Sequence, residues 1–369
     1  MALSVGIVGL PNVGKSTLFN ALSAAGAQAE NYPFCTIEPN VGVVPVPDER
    51  LERISSLVKP EKTTPTTLEF VDIAGLVRGA SKGEGLGNQF LANIRQVDAV
   101  LHVLRCFEDA NVTHVEGRVD PRRDREIVDT ELCLKDLETV EKRRERALKN
   151  AKAAGKQGEQ AKAELALCEK IKVGLDAGIP VRGQKLTGEE LEALADLFLL
   201  TAKPVLYVAN IAESQLSGAE SDPRVQQVVE IARSERSEHV ALAAAIEAEI
   251  QRLPPSDRAG FLASVGLTEP GLHKVVRAAY RLLGLQTYFT VGPKECRAWT
   301  FHKGWKAPKA AGVIHTDFER GFIKAEVIRW EDLIALGSEA AVKEKGLLRI
   351  EGKDYVVQDG DCLHFRFNV

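Results

Sequence analysis

The stretch GLPNVGKS, residues 9–16, decides the fold of this chain. It matches G-x-x-x-x-G-K-[ST], the pattern of a loop that binds the phosphates of a nucleotide. An apolar run, 3–8, precedes it and a helical pattern, 17–22, follows it, which is the strand–loop–helix context that the motif requires. The backbone N–H groups of such a loop point at phosphate oxygens, and the dipole of the following helix favours an anion. The sequence therefore predicts a P-loop between a buried strand and a helix.

Four residues carry the predicted phosphate and metal chemistry. Lys15 brings a positive charge to the β- and γ-phosphates, and the Ser16 hydroxyl is suited to ligating Mg²⁺. A D-x-x-G motif made by Asp72 and Gly75 ends the apolar run 68–73. We expect Asp72 to hold Mg²⁺ through water and the Gly75 N–H to meet the γ-phosphate.

The predicted hydrolytic machinery differs from that of many GTPases, which place a Gln directly after D-x-x-G to orient the attacking water. This chain has Leu76 there, so we expect slow intrinsic hydrolysis that depends on positioning and on the charges of Lys15 and Mg²⁺. His114 is the candidate catalytic group nearby; the alternative is a surface or packing histidine. Thr36 is a candidate Mg²⁺ ligand that would make its loop a switch. Asn12 is a candidate ligand for a monovalent cation such as K⁺.

The predicted base-reading motif follows the apolar run 204–210. GTPases usually have Asn-Lys-x-Asp here, whose Asp accepts hydrogen bonds from guanine and whose Lys stem covers the ring. This chain has Asn210, Ile211 and Glu213. An Ile can still pack on a base. The Glu side chain is one methylene longer than Asp and directs its carboxylate differently. A site built to hydrogen-bond one base edge discriminates against a base without that edge by about 10⁴. The motif therefore favours ATP over GTP; the alternative is an ordinary polar loop.

Composition narrows the class of protein. The chain has 369 residues and a formal net charge of −4, which gives no overall attraction to nucleic acid or membrane. None of the 6 cysteines forms a C-x-x-C pair, which is typical of a reducing intracellular compartment. The N-terminus has no basic region and its apolar run stops at the P-loop, so we expect a core strand and not a signal peptide. We expect a cytoplasmic monomer with no membrane partner.

The pattern along the chain predicts two domains. Apolar runs alternate with helical patterns over 1–280, which is typical of a parallel α/β sheet. A polar helical hairpin interrupts this domain at about 128–200, and a helix from 188 to 200 should begin with a capping box at Thr187 and Glu190. Short strands and one helix dominate 283–367 and predict a small α+β domain.

Two basic regions are candidate RNA contacts. The hairpin carries more bases than acids between 142 and 162, which indicates either a solvated coiled-coil face or a surface for RNA phosphates. The stretch 303–309, KGWKAPK, combines cations with a Trp that is suited to stacking on unpaired bases. A Trp of the core beside a basic loop would have the same sequence.

The chain resembles the YchF, or Obg-like ATPase, family of P-loop NTPases over essentially its whole length. The similarity rests on motifs at 9–16, 31–36 (NYPFCT), 72–77 (DIAGLV), 79–87 (GASKGEGLG), 210–213 (NIAE) and 311–327. It implies a GTPase-like α/β domain with a doubly wound, mainly parallel sheet, an inserted helical coiled-coil hairpin, and a C-terminal ubiquitin-like β-grasp (TGS) domain. The sequence Ala-Ala-Ala at 243–245 departs from the family pattern and leaves the base contact of that loop open.

The resemblance also implies ATP preference, a cytoplasmic location and association with the ribosome. It implies that Ser16 and Thr36 ligate Mg²⁺ and that Ile211 contacts the base. The phosphates would be bound by Asn12, Val13, Gly14, Lys15, Ser16 and Thr17.

The sequence as a whole favours a ribosome-associated ATPase that works as a nucleotide-dependent switch and contacts ribosomal RNA through the hairpin and the C-terminal domain. Two alternatives remain open. One is an Obg-type GTPase. The other is a nucleotide-gated RNA- or ribosome-binding protein whose slow hydrolysis is incidental.

Overall fold

The computed structural model describes residues 3–27, 40–73, 75 and 86–368, with only the backbone at 86–88. The strands are β1 Ser4–Val8, β2 Val41–Pro45, β3 Lys62–Thr64, β4 Thr67–Asp72, β5 Ala99–Arg105, β6 Val205–Asn210, β7 His239–Leu242, β8 Leu285–Thr290, β9 Glu295–His302, β10 Phe322–Arg329, β11 Arg349–Glu351 and β12 Asp361–Phe367. The helices are α1 Lys15–Ala27, α2 Glu49–Val58, α3 Leu86–Gln96, α4 Pro121–Asn150, α5 Lys156–Asp176, α6 Gly188–Ala193, α7 Pro223–Glu235, α8 Ala244–Arg252, α9 Pro255–Ser264, α10 Gly271–Leu282, α11 Ala307–Ala311, α12 Thr316–Arg320, α13 Trp330–Leu336 and α14 Glu339–Glu344.

Two units divide the chain. The first consists of Met1–Val43 and Glu69–Ala279, and the second of Val44–Leu68 and Tyr280–Val369. The sequence prediction differs from this division, because it assigned the segment 44–68 to the first domain. None of the helices in the described part of the chain has the length and apolar character that crossing a membrane requires.

The sheet of the first unit has the order β2-β4-β1-β5-β6-β7. β1 pairs in parallel with β4 and β5, and β5, β6 and β7 continue the parallel pairing. Every residue of β5 and β6 is buried, because helices cover both faces of such a sheet. The predicted doubly wound, mainly parallel sheet is confirmed. β2, which the sequence pattern did not indicate, adds one edge.

The predicted helical hairpin consists of α4 and α5. α4 begins where the Asp120 side chain accepts a hydrogen bond from the Arg123 N–H, 3.2 Å away. The two helices bury a common apolar cluster that includes Cys133 and Cys168. The predicted capping box is present at α6: Glu190 N–H donates to Thr187 Oγ1 at 3.2 Å, and Thr187 N–H donates to Glu190 Oε2 at 2.8 Å. α6 ends at Ala193, earlier than predicted.

A buried ionic network fastens the base of the hairpin. Arg182, whose side chain is 8% exposed, donates to Asp129 Oδ1 of α4 at 2.7 Å and to Glu235 Oε2 of α7 at 2.8 Å. Tyr207 of β6 donates to the same Glu235 oxygen at 2.8 Å. The buried charges are therefore paired and hydrogen-bonded, as burial requires.

The second unit is built from two separate segments of the chain. Its sheet has the order β11-β10-β12-β8-β9-β3. β3 pairs in parallel with the first residues of β9. α2 buries Leu51 and Ile54 in an apolar cluster with Phe289 of β8 and Cys296 of β9. The segment 44–68 therefore belongs to this unit because it supplies an edge strand and part of the core. Between β11 and β12 the described structure has an isolated antiparallel bridge that pairs Lys306 with Val356.

Candidate nucleotide site

The P-loop joins β1 to α1, and its shape depends on Gly14. The φ of Gly14 is +98°, and a Cβ there would lie 2.1 Å from Asn210 Nδ2. A side chain at this position would therefore be strained and would also displace Asn210. The Leu18 N–H donates to the Gly14 carbonyl at 3.0 Å, so α1 begins directly behind the loop. This is the arrangement in which a helix N-terminus faces an anion.

The P-loop lysine lies beside the D-x-x-G motif. Lys15 is 8% exposed, and its ammonium donates to the Leu10 carbonyl at 2.8 Å. Burial lowers the pKa of Lys15 to about 8, although the charge of Asp72 acts in the opposite direction. Burial raises the pKa of Asp72, with Lys15 opposing the shift. A Cβ built on Gly75 would lie 3.0 Å from Lys15 Nζ. The structure therefore brings Lys15, Asp72 and Gly75 together.

A cleft of about 520 Å³ opens in front of the P-loop. Its volume lies within the range of small-molecule sites. It is lined by Asn12, Gly14, Lys15, Ser16, Thr17, Phe107, Glu108, Asp109, Val112, Asn210, Ile211, Ala212, Glu213, Ala244 and Ala245. Of the predicted phosphate-loop residues, only Val13 is absent from this lining, because its side chain is fully buried. The cleft thus unites the P-loop with the predicted base-reading motif.

Asn210 connects three parts of the site. Its Nδ2 donates to the Val13 carbonyl at 2.9 Å, and its Oδ1 accepts from the Ala244 N–H at 3.0 Å. The end of β6, the P-loop and the start of α8 are therefore held at fixed spacing. The Asn210 side chain therefore positions the walls of the cleft relative to one another.

The neighbours of Asn210 face the cleft differently. Ile211 is 3% exposed, and its N–H donates to the Leu242 carbonyl at 2.9 Å. Glu213 is exposed at the start of a 3₁₀ segment, Glu213–Ser221. This end of the cleft therefore exposes the Glu213 carboxylate, while the Ile211 side chain is almost entirely buried.

The structure shows His114 engaged in packing, where the sequence analysis treated it as a candidate catalytic group. The imidazole Nε2 lies 2.8 Å from Asp124 Oδ2, and Nδ1 accepts from the Glu116 N–H at 3.1 Å. Because Nδ1 is an acceptor, Nε2 carries the proton and donates to Asp124. The His114 side chain is 3% exposed. Both ring nitrogens are used inside the protein, so His114 anchors its loop to α4 in this conformation.

Sequence reasoning missed Arg105, which organises the wall of the cleft. Arg105 is 1% exposed and donates to the carbonyls of Phe107 at 3.1 Å and of Val112 at 2.9 Å. Its guanidinium also reaches the Asn12 carbonyl at 3.4 Å and lies 4.5 Å from the centre of the Phe107 ring, a cation–π distance. The sequence does contain a signal for this role, because Arg105 is a charged residue at the end of an apolar run that predicts a buried strand.

The loop 107–113 also contacts the P-loop directly. Asn12 Nδ2 donates to the Thr113 carbonyl at 3.1 Å. The structure does not describe Thr36, which lies in the predicted switch loop. It also does not describe Leu76, which occupies the position of the GTPase Gln.

Comparison with known proteins identifies the family. Residues 285–368 match the family YchF-GTPase_C, described as a protein of unknown function, and residues 4–151 match MMR_HSR1, described as 50S ribosome-binding GTPase. The chain is 54% identical to "Ribosome-binding ATPase YchF" of Bacillus subtilis and 56% identical to the protein of the same name from Haemophilus influenzae, in each case over 369 residues and 100% of both chains. This chain belongs to the YchF family.

A solved YchF structure has the same fold. The structure of the Schizosaccharomyces pombe YchF GTPase is similar at a TM-score of 0.89 and 38% identity, covering 99% of this chain and 97% of that one. The resemblance found in the motifs and the predicted α/β fold with a C-terminal domain are therefore confirmed. The first unit holds the YchF-family P-loop and cleft, and the residues matched by YchF-GTPase_C lie within the second unit.

Proposed function

We propose that this YchF-family protein binds ATP in preference to GTP, hydrolyses it with Mg²⁺, and acts as a nucleotide-dependent switch on the ribosome. The observation that carries the base preference is the end of the cleft, where Ile211 and Glu213 stand in place of the Lys and Asp that read guanine. The names of the relatives differ on this point: two are called ATPases and the solved structure is called a GTPase. The base preference is therefore the property to test first.

Magnesium fits the oxygen groups at the P-loop. Ser16 lines the cleft, and burial raises the pKa of the half-buried Asp72 carboxylate in spite of the opposing charge of Lys15. A hydroxyl, a carboxylate and nucleotide phosphates are the ligand types that Mg²⁺ prefers. Ser16, Asp72 and Thr36 would hold the ion, which would neutralise charge on the phosphates. The exposed Asn12 beside them is the candidate K⁺ ligand.

Hydrolysis in this proposal rests on positioning. Lys15 and the N–H groups of 12–17 and Gly75 would hold the β- and γ-phosphates while water attacks the γ-phosphorus, with ADP and phosphate as products. Leu76 cannot orient this water, which supports a slow intrinsic rate. His114 would act as a positioning residue of the cleft wall, because its nitrogens are engaged with Asp124 and Glu116.

The proposed partners are the ribosome and its RNA. The basic hairpin, and in the second unit the Lys303–Lys309 region, would contact RNA, and in the latter Lys309 Nζ lies 4.4 Å from the centre of the Trp305 ring. We assign the nucleotide-binding domain to 1–280 with the hairpin at about 128–200, although 44–68 packs with the second unit. We assign the TGS-like β-grasp domain to 283–367, and we propose a cytoplasmic monomer.

Calorimetry with non-hydrolysable ATP and GTP analogues and Mg²⁺ tests the base preference. The wild type should bind the ATP analogue more tightly, and Ile211→Lys combined with Glu213→Asp should gain affinity for the GTP analogue. Because Ile211 is buried, Glu213→Asp alone is measured as well. A control for the changes of residue type is Ile179→Lys with Glu189→Asp, at exposed positions outside the cleft. Preference of the wild type for GTP would overturn the proposal in favour of an Obg-type GTPase.

Turnover with and without ribosomes separates the switch from a nucleotide-gated binding protein. Strong stimulation of ATP hydrolysis by ribosomes supports the switch. Tight, nucleotide-dependent ribosome binding without stimulation supports the binding protein. Absence of any ribosome binding contradicts both.

A further inference from the structure

A groove of about 590 Å³ lies in the first unit, away from the nucleotide cleft. One face of α4, the C-terminal end of α3 and the turn at 196–198 form it. The α4 side chains in its wall lie at positions 135, 138, 139, 142, 143 and 146, a spacing that places them on one face of the helix. We call it the Phe198 groove.

Cations outnumber acids in the Phe198 groove. Its lining contains the basic residues Arg95, Lys135, Lys142, Arg143 and Arg146 and the acidic residues Glu138 and Asp196. Both acids are already paired, Asp196 with Arg143 at 2.9 Å and Glu138 with Lys135 at 2.7 Å. Arg95, Lys142 and Arg146 are exposed, and none of them forms an ion pair with another described residue. The groove thus presents three positive charges to solvent, although Arg95 also interacts with the buried Asp136 and donates to Thr139 Oγ1 at 3.5 Å.

Phe198 lies in this basic groove with an unusual backbone. Its side chain is 66% exposed, and its φ and ψ are both 47°, the left-handed conformation. A bulky aromatic residue rarely adopts this conformation, and such strain is found at functional sites. The neighbouring Leu199 and Leu200 are buried. The turn therefore exposes the Phe198 ring to solvent while the two residues that follow it pack in the core.

We propose that the Phe198 groove binds single-stranded RNA. Phosphates would lie against Arg95, Lys142 and Arg146, and an unpaired base would stack on Phe198. Positive charges along a groove together with an exposed ring are what single-stranded nucleic acid binding requires. A protein partner could bury the same ring, and the co-sedimentation experiment below separates that outcome from RNA binding. The inference rests on the proposed ribosome partnership and names the RNA contact within it.

Fluorescence anisotropy with a labelled single-stranded oligouridylate tests the proposal on the full-length protein. Phe198→Ala should weaken binding at least about fivefold without changing its salt dependence, because stacking is lost and no charge is removed. Lys142→Gln with Arg146→Gln should weaken binding and reduce the slope of log K against log salt by about 1.4, the amount for two phosphate contacts. The control, Arg233→Gln with Arg252→Gln, removes the same charge elsewhere in the unit and should retain the wild-type slope.

Two further measurements separate stacking from damage to the fold. Phe198→Gly should raise the melting temperature, because glycine adopts φ +47° without strain, and should still lose RNA affinity. Duplex RNA of the same length should bind wild type and Phe198→Ala equally, since its bases are already stacked. Wild-type affinity of both Phe198 variants for oligouridylate would overturn the proposal, and so would an equal loss in the control.

Ribosome co-sedimentation of the same variants distinguishes failure of this inference from failure of the proposed function. If the wild type sediments with ribosomes and oligouridylate binding ignores Phe198, the groove assignment is wrong and the ribosome role stands. If co-sedimentation alone depends on Phe198, the groove takes a protein partner and the RNA assignment is wrong. If oligouridylate binding depends on Phe198 but ribosomes do not bind, the groove assignment stands and the ribosome role fails.

Discussion

At the scale of single residues, Lys15 links nucleotide binding to pH. Its pKa is lowered to about 8 by burial, and a bound phosphate would favour the charged form and raise that pKa. Above pH 8 the Lys15 ammonium of the free protein has largely lost its proton. Nucleotide binding must then be accompanied by uptake of a proton at Lys15.

We therefore predict that affinity for a non-hydrolysable ATP analogue falls as pH rises above about 8, by up to about tenfold per pH unit, with uptake of a proton. Calorimetry in buffers of different ionisation enthalpy measures the uptake. Lys15→Arg stays charged, so it should bind without proton uptake in this range. Equal proton uptake in that variant would assign the proton to another group.

Gly14 is the second residue for which the structure predicts the effect of a substitution. Alanine there meets the strain of φ +98° and a contact of 2.1 Å with Asn210 Nδ2. Gly117 provides the control, because its φ is +78° and nothing lies within 4 Å of a Cβ built on it.

We predict that Gly117→Ala costs about 1–2 kcal/mol of unfolding free energy through strain alone. Gly14→Ala should cost about 2 kcal/mol more, because both hydrogen bonds of Asn210 must break, and it should also abolish nucleotide binding. Denaturant unfolding and calorimetry measure the two effects. Equal costs for the two variants would mean that Asn210 moves freely.

At the scale of elements, Arg105 and His114 are two of the side chains that hold the loop between β5 and α4. Arg105 binds its first half through the carbonyls of Phe107 and Val112. His114 fastens its second half to Asp124. Because this loop lines the cleft, its anchors should affect how tightly nucleotide is bound.

We predict that His114→Ala raises KM for ATP severalfold and lowers the unfolding free energy by about 1–3 kcal/mol, since Asp124 loses a buried partner. kcat should change little, because a positioning role acts on binding. His114→Gln, whose amide can both donate and accept, should restore much of the loss. A fall in kcat at unchanged KM, with loss of a limb of the pH profile, would instead identify a catalytic histidine.

At the scale of the whole molecule, the second unit depends on a distant segment. α2 contributes Leu51 and Ile54 to its core, and β3 covers the edge of β9. A fragment of residues 280–369 lacks both elements.

We predict that this fragment unfolds without cooperativity or self-associates, because it exposes a sheet edge and lacks two core side chains, each worth about 2–5 kcal/mol. A chain of residues 44–68 joined by a Gly/Ser linker to 280–369 contains only the second unit and should unfold cooperatively as a monomer. Circular dichroism melting and analytical ultracentrifugation compare them. Cooperative unfolding of 280–369 at the same temperature would show that α2 and β3 add no stability.

Local patterns were enough to predict much of this protein. The P-loop at 9–16, the parallel strands, the helical hairpin and the family were all recognisable in the sequence, because each depends on neighbouring residues: glycines at fixed spacing, apolar runs and helical periodicity. The capping box at Thr187 is such a local signal, since its partners lie three residues apart. The motif at 210–213 is local too, and the ATP preference that its residue types predict is what the proposed calorimetry tests.

Only the tertiary structure decided the contacts between distant segments. Asn210 meets the P-loop across 197 positions, Arg182 joins α4 to α7, and 44–68 completes the second unit. The sequence makes His114 a candidate catalytic residue. In the structure its loop packs against α4, and both ring nitrogens have hydrogen-bond partners, Asp124 and the Glu116 N–H. No periodicity records these pairings, because they depend on which elements lie side by side after the chain has folded.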